Sequence, residues 1–314
     1  DNFGARLILA QVYTEKSQIN TGQLELITAQ KAIAEWKEIT RLDPRNAEAW
    51  AFLSVFYERQ NKNEERIEAL KKWLAAAAPI ESSFYRRVFG RSEDLSPENA
   101  AVKLGDALIK AGKSGEAVEI LSRTIADNPD NLLAIDFLRQ AIQGGEGKTT
   151  AKTVELLQQA VFANPTNLVL VELLSEAQIS LGKTDDAIKT LKNSIQNVEK
   201  GDKNSIANLH VSLGNIYLHA NRHEEAILSY EQALNSFEIG NILLTTEIQR
   251  EFATRVFEKM ILTYKNAGKT NEAKAIIERA RTLLGKADLF ADKQLISLLR
   301  ESGKKDEALL AVRS

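Results

Sequence analysis

Residues Asn208–Ser236 read NLHVSLGNIYLHANRHEEAILSYEQALNS, and the middle of this stretch decides the fold. Asn221 is followed by Arg222, two variable residues, then Glu225 and Ala226. The same spacing returns as Gly112-Lys113 with Glu116-Ala117, Gly182-Lys183 with Asp186-Ala187, Gly268-Lys269 with Glu272-Ala273, and Gly303-Lys304 with Glu307-Ala308. Asn61-Lys62 with Glu65-Arg66 is the same pattern, with arginine in the alanine place. Such recurrence marks an internal repeat. Its physics is that of a helical hairpin. Glycine or asparagine is what a helix takes just beyond its C-terminus, where the chain enters the left-handed region. A basic residue beside that end, and an acidic residue in the first turn of the next helix, both suit the helix dipoles. The alanine lets the second helix approach the first closely.

A second marker ends the unit. Pro44, Pro129 and Pro165 lie twelve residues after Ala32, Ala117 and Thr153, and each is followed two residues later by asparagine. Proline stops one helix, and Asn46, Asn131 and Asn167 cap the next. Ser96-Pro97 predicts another helix start, with serine as the cap and proline at the first helical position. Aligning the small-residue position gives Ala32, Arg66, Ala117, Thr153, Ala187, Ala226, Ala273 and Ala308, with gaps of 34, 51, 36, 34, 39, 47 and 35 residues. The longer gaps predict insertions near 17–27, 80–97 and 236–246. The first is expected to extend an interhelical turn, with Thr28 capping a helix from Ala29. The second carries Phe84, Tyr85, Arg86, Arg87, Phe89 and Arg91, the densest basic and aromatic cluster of the chain. The third is expected to lengthen the helices on both sides of a turn at Gly240-Asn241.

A helical hairpin of 34 residues with these markers resembles the tetratricopeptide repeat. The resemblance rests on Leu213, Gly214, Tyr217, Ala226, Tyr230 and Ala233 in one repeat, and on Trp50, Leu53, Ser54 and Tyr57 in another. Leu9, Ala10, Tyr13, Ala32, Trp36 and Pro44 carry it near the start, and Tyr264, Gly268, Ala273 and Ala280 near the end. It covers nearly the whole chain. It implies an all-α fold, a right-handed superhelical solenoid of about eight repeats, here approximately at 3–46, 47–79, 98–131, 132–167, 168–201, 205–240, 247–287 and 289–314.

The resemblance further implies that the first helices line a concave groove for a peptide or partner protein, through the second, fifth, ninth and twelfth positions of each. The groove candidates are then Val102 and Asp106, Glu172 and Glu176, Asn208, Val211 and Asn215, and Arg255 with Lys259 beside it. Asn215, Arg255 and Lys259 form the best spot for a carboxylate. The carboxylate clamp of one known subfamily is not matched, because Val211 stands where that clamp needs lysine. The segment Phe84, Tyr85, Arg86, Arg87 and Phe89 is a second contact candidate, weighed against simple packing of its aromatics over a repeat junction.

Composition narrows the function. The chain has 314 residues, with 41 Lys and Arg against 43 Asp and Glu. This balance argues against a nucleic-acid binder held by counterion release. The absence of cysteine excludes a disulfide framework, a thiol nucleophile and a cysteine-ligated zinc, and is compatible with cytoplasm and periplasm alike. The style of the repeats reads as bacterial. No apolar run is long enough to form a transmembrane helix. Gly144–Thr149 looks like part of a phosphate-binding loop, but Ile142 stands where its first glycine belongs and no strand precedes it. His219 and His223 flank the Asn221 turn and so do not share one helix face as metal ligands. The carboxylate pairs Glu64-Glu65, Asp185-Asp186 and Glu224-Glu225 recur at one repeat position, which the helix dipole explains; an acid–base pair would be peculiar to one site. The expectation is a non-catalytic protein–protein interaction scaffold with no cofactor and no metal. The alternatives are a spacer that self-associates through exposed array ends, and the regulatory arm of an enzyme whose catalytic domain lies elsewhere. Asp1-Asn2-Phe3 matches the repeat junction Asp130-Asn131-Leu132, so the sequence reads as a segment of a longer protein.

Overall fold

The computed structural model describes residues 2–19, 22–77, 94–143, 149–198, 202–240, 242–285, 288–304, 306 and 308. The Phe84–Phe89 cluster and most of the Gly144–Thr149 loop lie outside them. Among the described residues the regular elements are all α-helices, fifteen in number. They fall into two compact units, Asp1–Ala163 and Asn164–Ser314. The first holds α1 (Phe3–Ile19), α2 (Gly22–Leu42), α3 (Ala47–Arg59), α4 (Asn63–Ala76), α5 (Pro97–Lys110), α6 (Ser114–Asp127), α7 (Leu132–Gln143) and α8 (Ala151–Ala163). The second holds α9 (Leu168–Ser180), α10 (Thr184–Asn197), α11 (Lys203–His219), α12 (His223–Ser236), α13 (Glu247–Asn266), α14 (Thr270–Leu284) and α15 (Phe290–Glu301). Within each unit, consecutive helices pack as antiparallel hairpins, and each hairpin packs on the next. The fourth hairpin differs, since α7 and α8 both lean on α6.

The repeated turn does what its residues predict. Asn61, Gly112, Gly182, Asn221, Gly268 and Gly303 all have φ between 55° and 75°. The basic residue that follows then donates its backbone N–H five residues back, as from Arg222 to Tyr217 at 2.8 Å and from Lys113 to Leu108 at 2.8 Å, closing the helix end. Asn46, Asn131 and Asn167 cap α3, α7 and α9 by accepting the N–H of Ala49, Ala134 and Leu170. Ser96 caps α5 with Pro97 at its first position.

The charged turns also pair with one another. Lys113 reaches Glu64 at 2.7 Å, Arg222 reaches Asp185 at 3.4 Å, and Lys269 reaches Glu224 at 3.4 Å. The cation of one turn thus meets the acid of the turn before it. These pairs are exposed and individually weak.

Small residues set the helix spacing. Ala32, Ala117, Ala187, Ala226 and Ala273 are fully buried. Gly214 faces the buried ring of Tyr230, and a Cβ there would lie 2.5 Å from Cε1. Gly105 stands likewise over Leu121. In the first unit the buried Trp36 stacks on Phe52, with ring centroids 4.9 Å apart. Its Nε1 donates to Thr14 Oγ1 at 3.0 Å.

Two insertions differ from expectation. The first is not a longer turn: α1 runs to Ile19 and α2 starts at Gly22. Thr28 is therefore not a cap but an interior residue of α2, donating to the Glu25 carbonyl at 3.0 Å. The extra residues continue both helices, which is the cheapest way to satisfy their backbone groups. In the third insertion only the following helix is long, at 20 residues, while α12 stops at Ser236. Glu238 takes a positive φ of 58°, and the chain then lies against the end of α14. Ile239 and Leu244 are buried, and the Leu244 N–H donates to the Leu283 carbonyl at 2.8 Å. Arg250 fixes the same corner, donating to the Leu284 carbonyl at 2.7 Å and to Asp288 at 2.9 Å.

Candidate partner-binding face

The first helices of the second unit, α9, α11 and α13, are neighbours in that order. Three of the predicted groove residues, Glu172, Asn208 and Arg255, make hydrogen bonds between neighbouring first helices. Glu172 on α9 accepts a hydrogen bond from Ser212 Oγ on α11 at 2.8 Å. Arg255 on α13 donates from Nη2 to Asn208 Oδ1 on α11 at 3.0 Å, and its guanidinium lies 5.2 Å from the Phe252 ring centroid. Asn215 Oδ1 accepts the Tyr230 hydroxyl at 2.9 Å. Burial pushes the Tyr230 phenol upward, which keeps its proton on this bond. Lys259 is half-buried and has no ion-pair partner among the described residues. Lys265, six residues further on, is neutralised by Glu301 at 2.6 Å. Glu176 is half-buried on α9, and Val211 is buried in α11.

In the first unit the corresponding face is closed by its own charges. Arg66, which stands in the alanine place, lies 2.9 Å from Glu58 and 3.0 Å from Asp106. Lys110 adds a second contact to Asp106 at 2.9 Å. Asp106 therefore has two cations of its own. Val102 is buried. Beside this network a cleft is lined by Ala51, Phe52 and Val55 of α3, by Trp73 and Leu95, and by Asn99 and Lys103 of α5. The sequence reading missed Glu58, Arg66 and Lys110 as a group. The signal was present in the replacement of alanine by arginine, which a hairpin core accepts only if the charge is met by acids.

His219 ends α11 and His223 starts α12, with Asn221 at φ 57° between them, so the two imidazoles sit on different helices. His210 is half-buried on α11, and burial lowers its pKa. The unfolded imidazole takes a proton as pH falls below about 6.5, while the folded one resists it. The contribution of His210 is therefore neutral above that pH and turns destabilising below it. His210→Gln is expected to reduce the loss of thermal stability between about pH 6.5 and pH 5, relative to the unmodified chain, in paired melting curves. Identical slopes for the two proteins would overturn this assignment.

Residues 29–79, 99–131 and 166–239 each match a family model of the tetratricopeptide repeat. The chain belongs to the tetratricopeptide repeat family. A curated relative, the kinesin light chain-related protein 1 of Arabidopsis thaliana, is 31% identical over 93 residues. That match takes in 30% of this chain and 14% of the relative, so the chain spans only a small part of that protein's length. Solved structures with a similar arrangement include the MamA protein, at 18% identity over 59% of this chain and 90% of that one, with a TM-score of 0.38. A thermophilic tetratricopeptide repeat protein of Thermus thermophilus matches at 22% identity over 64% and 98%, with a TM-score of 0.37. The complex of Naa15 and Naa10 bound to HypK-THB matches at 14% identity over 98% and 41%, with a TM-score of 0.48.

Tetratricopeptide repeat proteins bind protein partners and are typically non-catalytic, and the fold of this chain is a scaffold of that kind. Among its described residues no helix is long and apolar enough to cross a membrane.

Proposed function

We propose that this tetratricopeptide repeat chain binds an extended peptide of a partner protein across α9, α11 and α13, and performs no chemistry on it. Asn215, Arg255 and Lys259 receive a carboxylate of that peptide. The observation that carries this reading is Lys259, a half-buried cation on a first helix without an ion-pair partner among the described residues. A lysine so placed gains most from an anion brought by a ligand, because partial burial weakens the screening of its charge. Asn215 supplies a neutral donor on the next helix, with its orientation fixed by Tyr230.

The test is capture of partners from the source proteome by the chain and by its Asn215→Ala/Arg255→Ala/Lys259→Ala variant. A partner held by the former and reduced at least about tenfold by the latter, roughly 1.4 kcal/mol, is the expected result. Its retention should fall as salt is raised from about 0.05 to 0.5 M. Equal capture by both proteins would refute this site and direct attention to the Phe84–Phe89 segment or to the cleft of α3 and α5.

A further inference from the structure

The cleft of the first unit is built around apolar walls with a small polar mouth. Ala51 and Val55, the fifth and ninth groove positions of α3, line it together with Asn99, the second of α5. Its walls are Phe52, Trp73 and Leu95, all buried. Trp73 uses its only N–H within the fold, donating to the Leu95 carbonyl at 3.3 Å, so the indole adds no polar hydrogen to the cleft. At the mouth, Asn99 donates from Nδ2 to the Asp94 carbonyl at 2.6 Å, and its Oδ1 receives no donor among the described residues. Lys103, four residues further along α5, is exposed and has no ion-pair partner among the described residues. Asp94 accepts the Ser96 N–H at 3.0 Å. The two charges in the lining, Asp94 and Lys103, are opposite, so the cleft selects no ion by sign. The nearby acids are already engaged, Glu48 by Gln11 at 2.8 Å, and Glu58 and Asp106 by Arg66.

We propose that this cleft holds one large aliphatic side chain of an extended segment of a partner protein, whose backbone N–H meets Asn99 Oδ1 and whose carbonyl meets the Lys103 ammonium. The open space, mouth included, is about 340 Å³, the small end of the range for ligand sites. It takes a side chain but not a helix, which is about 10 Å across. An acceptor and a donor one helical turn apart complement the N–H and C=O of a single extended residue, and the balanced lining leaves burial of apolar surface as the driving force. The site lies within the first unit and stands or falls separately from the face of α9, α11 and α13.

A random dodecapeptide library displayed on phage, selected on the whole chain and counter-selected on Val55→Arg, supplies the probe. Enriched peptides are synthesised and titrated against the chain labelled with 5-fluorotryptophan, whose Trp73 signal is identified with Trp73→Phe. The expected peptides share one leucine, isoleucine or valine and no common charge. They should move the Trp73 signal and leave that of Trp36, buried in the first hairpin, in place. Alanine in place of the shared residue should weaken binding about tenfold or more. Lys103→Ala, at an exposed position, should weaken it about three- to tenfold. Circular dichroism melts of each variant establish that the fold is retained. Peptides that leave the Trp73 signal unmoved, or that bind equally well after the alanine replacement, would overturn the inference, as would a library with nothing enriched over Val55→Arg. A Trp73 signal that moves with the concentration of the chain alone would assign the cleft to a second copy and overturn it too. Peptides lost only in the Asn215→Ala/Arg255→Ala/Lys259→Ala variant would overturn it while leaving the face of α9, α11 and α13 standing.

Discussion

Trp36→Ala is expected to destabilise the first unit by about 3–5 kcal/mol, the range for removing a large aromatic from a core. Trp36 is fully buried and stacked on Phe52, so truncation leaves a cavity between α1, α2 and α3. It also removes the donor to Thr14 Oγ1, whose own hydroxyl remains tied to the Ala10 carbonyl at 2.8 Å. Trp36→Phe keeps the stack and loses the indole N–H, and should cost markedly less. Urea unfolding separates the two, read by circular dichroism and by the emission of Trp50 and Trp73, which belong to the same unit. A loss below about 1 kcal/mol for Trp36→Ala would mean that the first hairpin is not held by this residue.

The second large effect concerns Gly214. Gly214→Val should cost about 1–3 kcal/mol or more from overpacking, despite the usual gain from replacing glycine within a helix. The added Cβ would sit 2.5 Å from the Tyr230 ring. That ring is fully buried and anchored at its far end by Asn215, so it cannot swing aside without breaking that bond. Gly105 is the internal control. Its Cβ would meet Leu121 at 2.6 Å, but a leucine side chain can change rotamer. Gly105→Ala should therefore cost less than Gly214→Ala in thermal unfolding. The reverse order would contradict the account of rigid ring against flexible side chain. Because Tyr230 orients Asn215, Gly214→Val should also weaken peptide binding in whatever fraction stays folded.

The parts of this molecule governed by local rules were legible in the sequence. The left-handed turn at Asn221 and the cap at Asn167 are decided by a few adjacent residues, and both stand where the residue types placed them. Insertions were less legible, because their extra residues had two outlets. Residues near 17–27 prolonged the helices, and no local signal distinguished that from a longer turn, since Thr28 is as acceptable within a helix as before one. At 236–246, Ile239 and Leu244 chose burial against α14, a long-range choice that a helical pattern does not record. The candidate face was legible as a list of positions but not as a set of contacts. Arg66 and Asp106 are 40 residues apart, with an insertion of unpredicted shape between them. Val102 and Val211 occupy groove positions in the pattern but are buried, because a short aliphatic side chain at that place settles between neighbouring helices rather than above them.

The ladder of turn charges has an evolutionary corollary. The hairpin of α11 and α12 carries both the cation that the previous turn's acid meets and the acid that the next turn's cation meets, as Arg222 pairs with Asp185 and Glu224 with Lys269. That hairpin therefore presents two complementary connectors, one at each side. A duplication or deletion of that hairpin would rejoin an acid to a cation at the new turn junction. Array length can in this way change in a single genetic event, while residues such as Arg255 and Glu172 drift independently to suit a new partner.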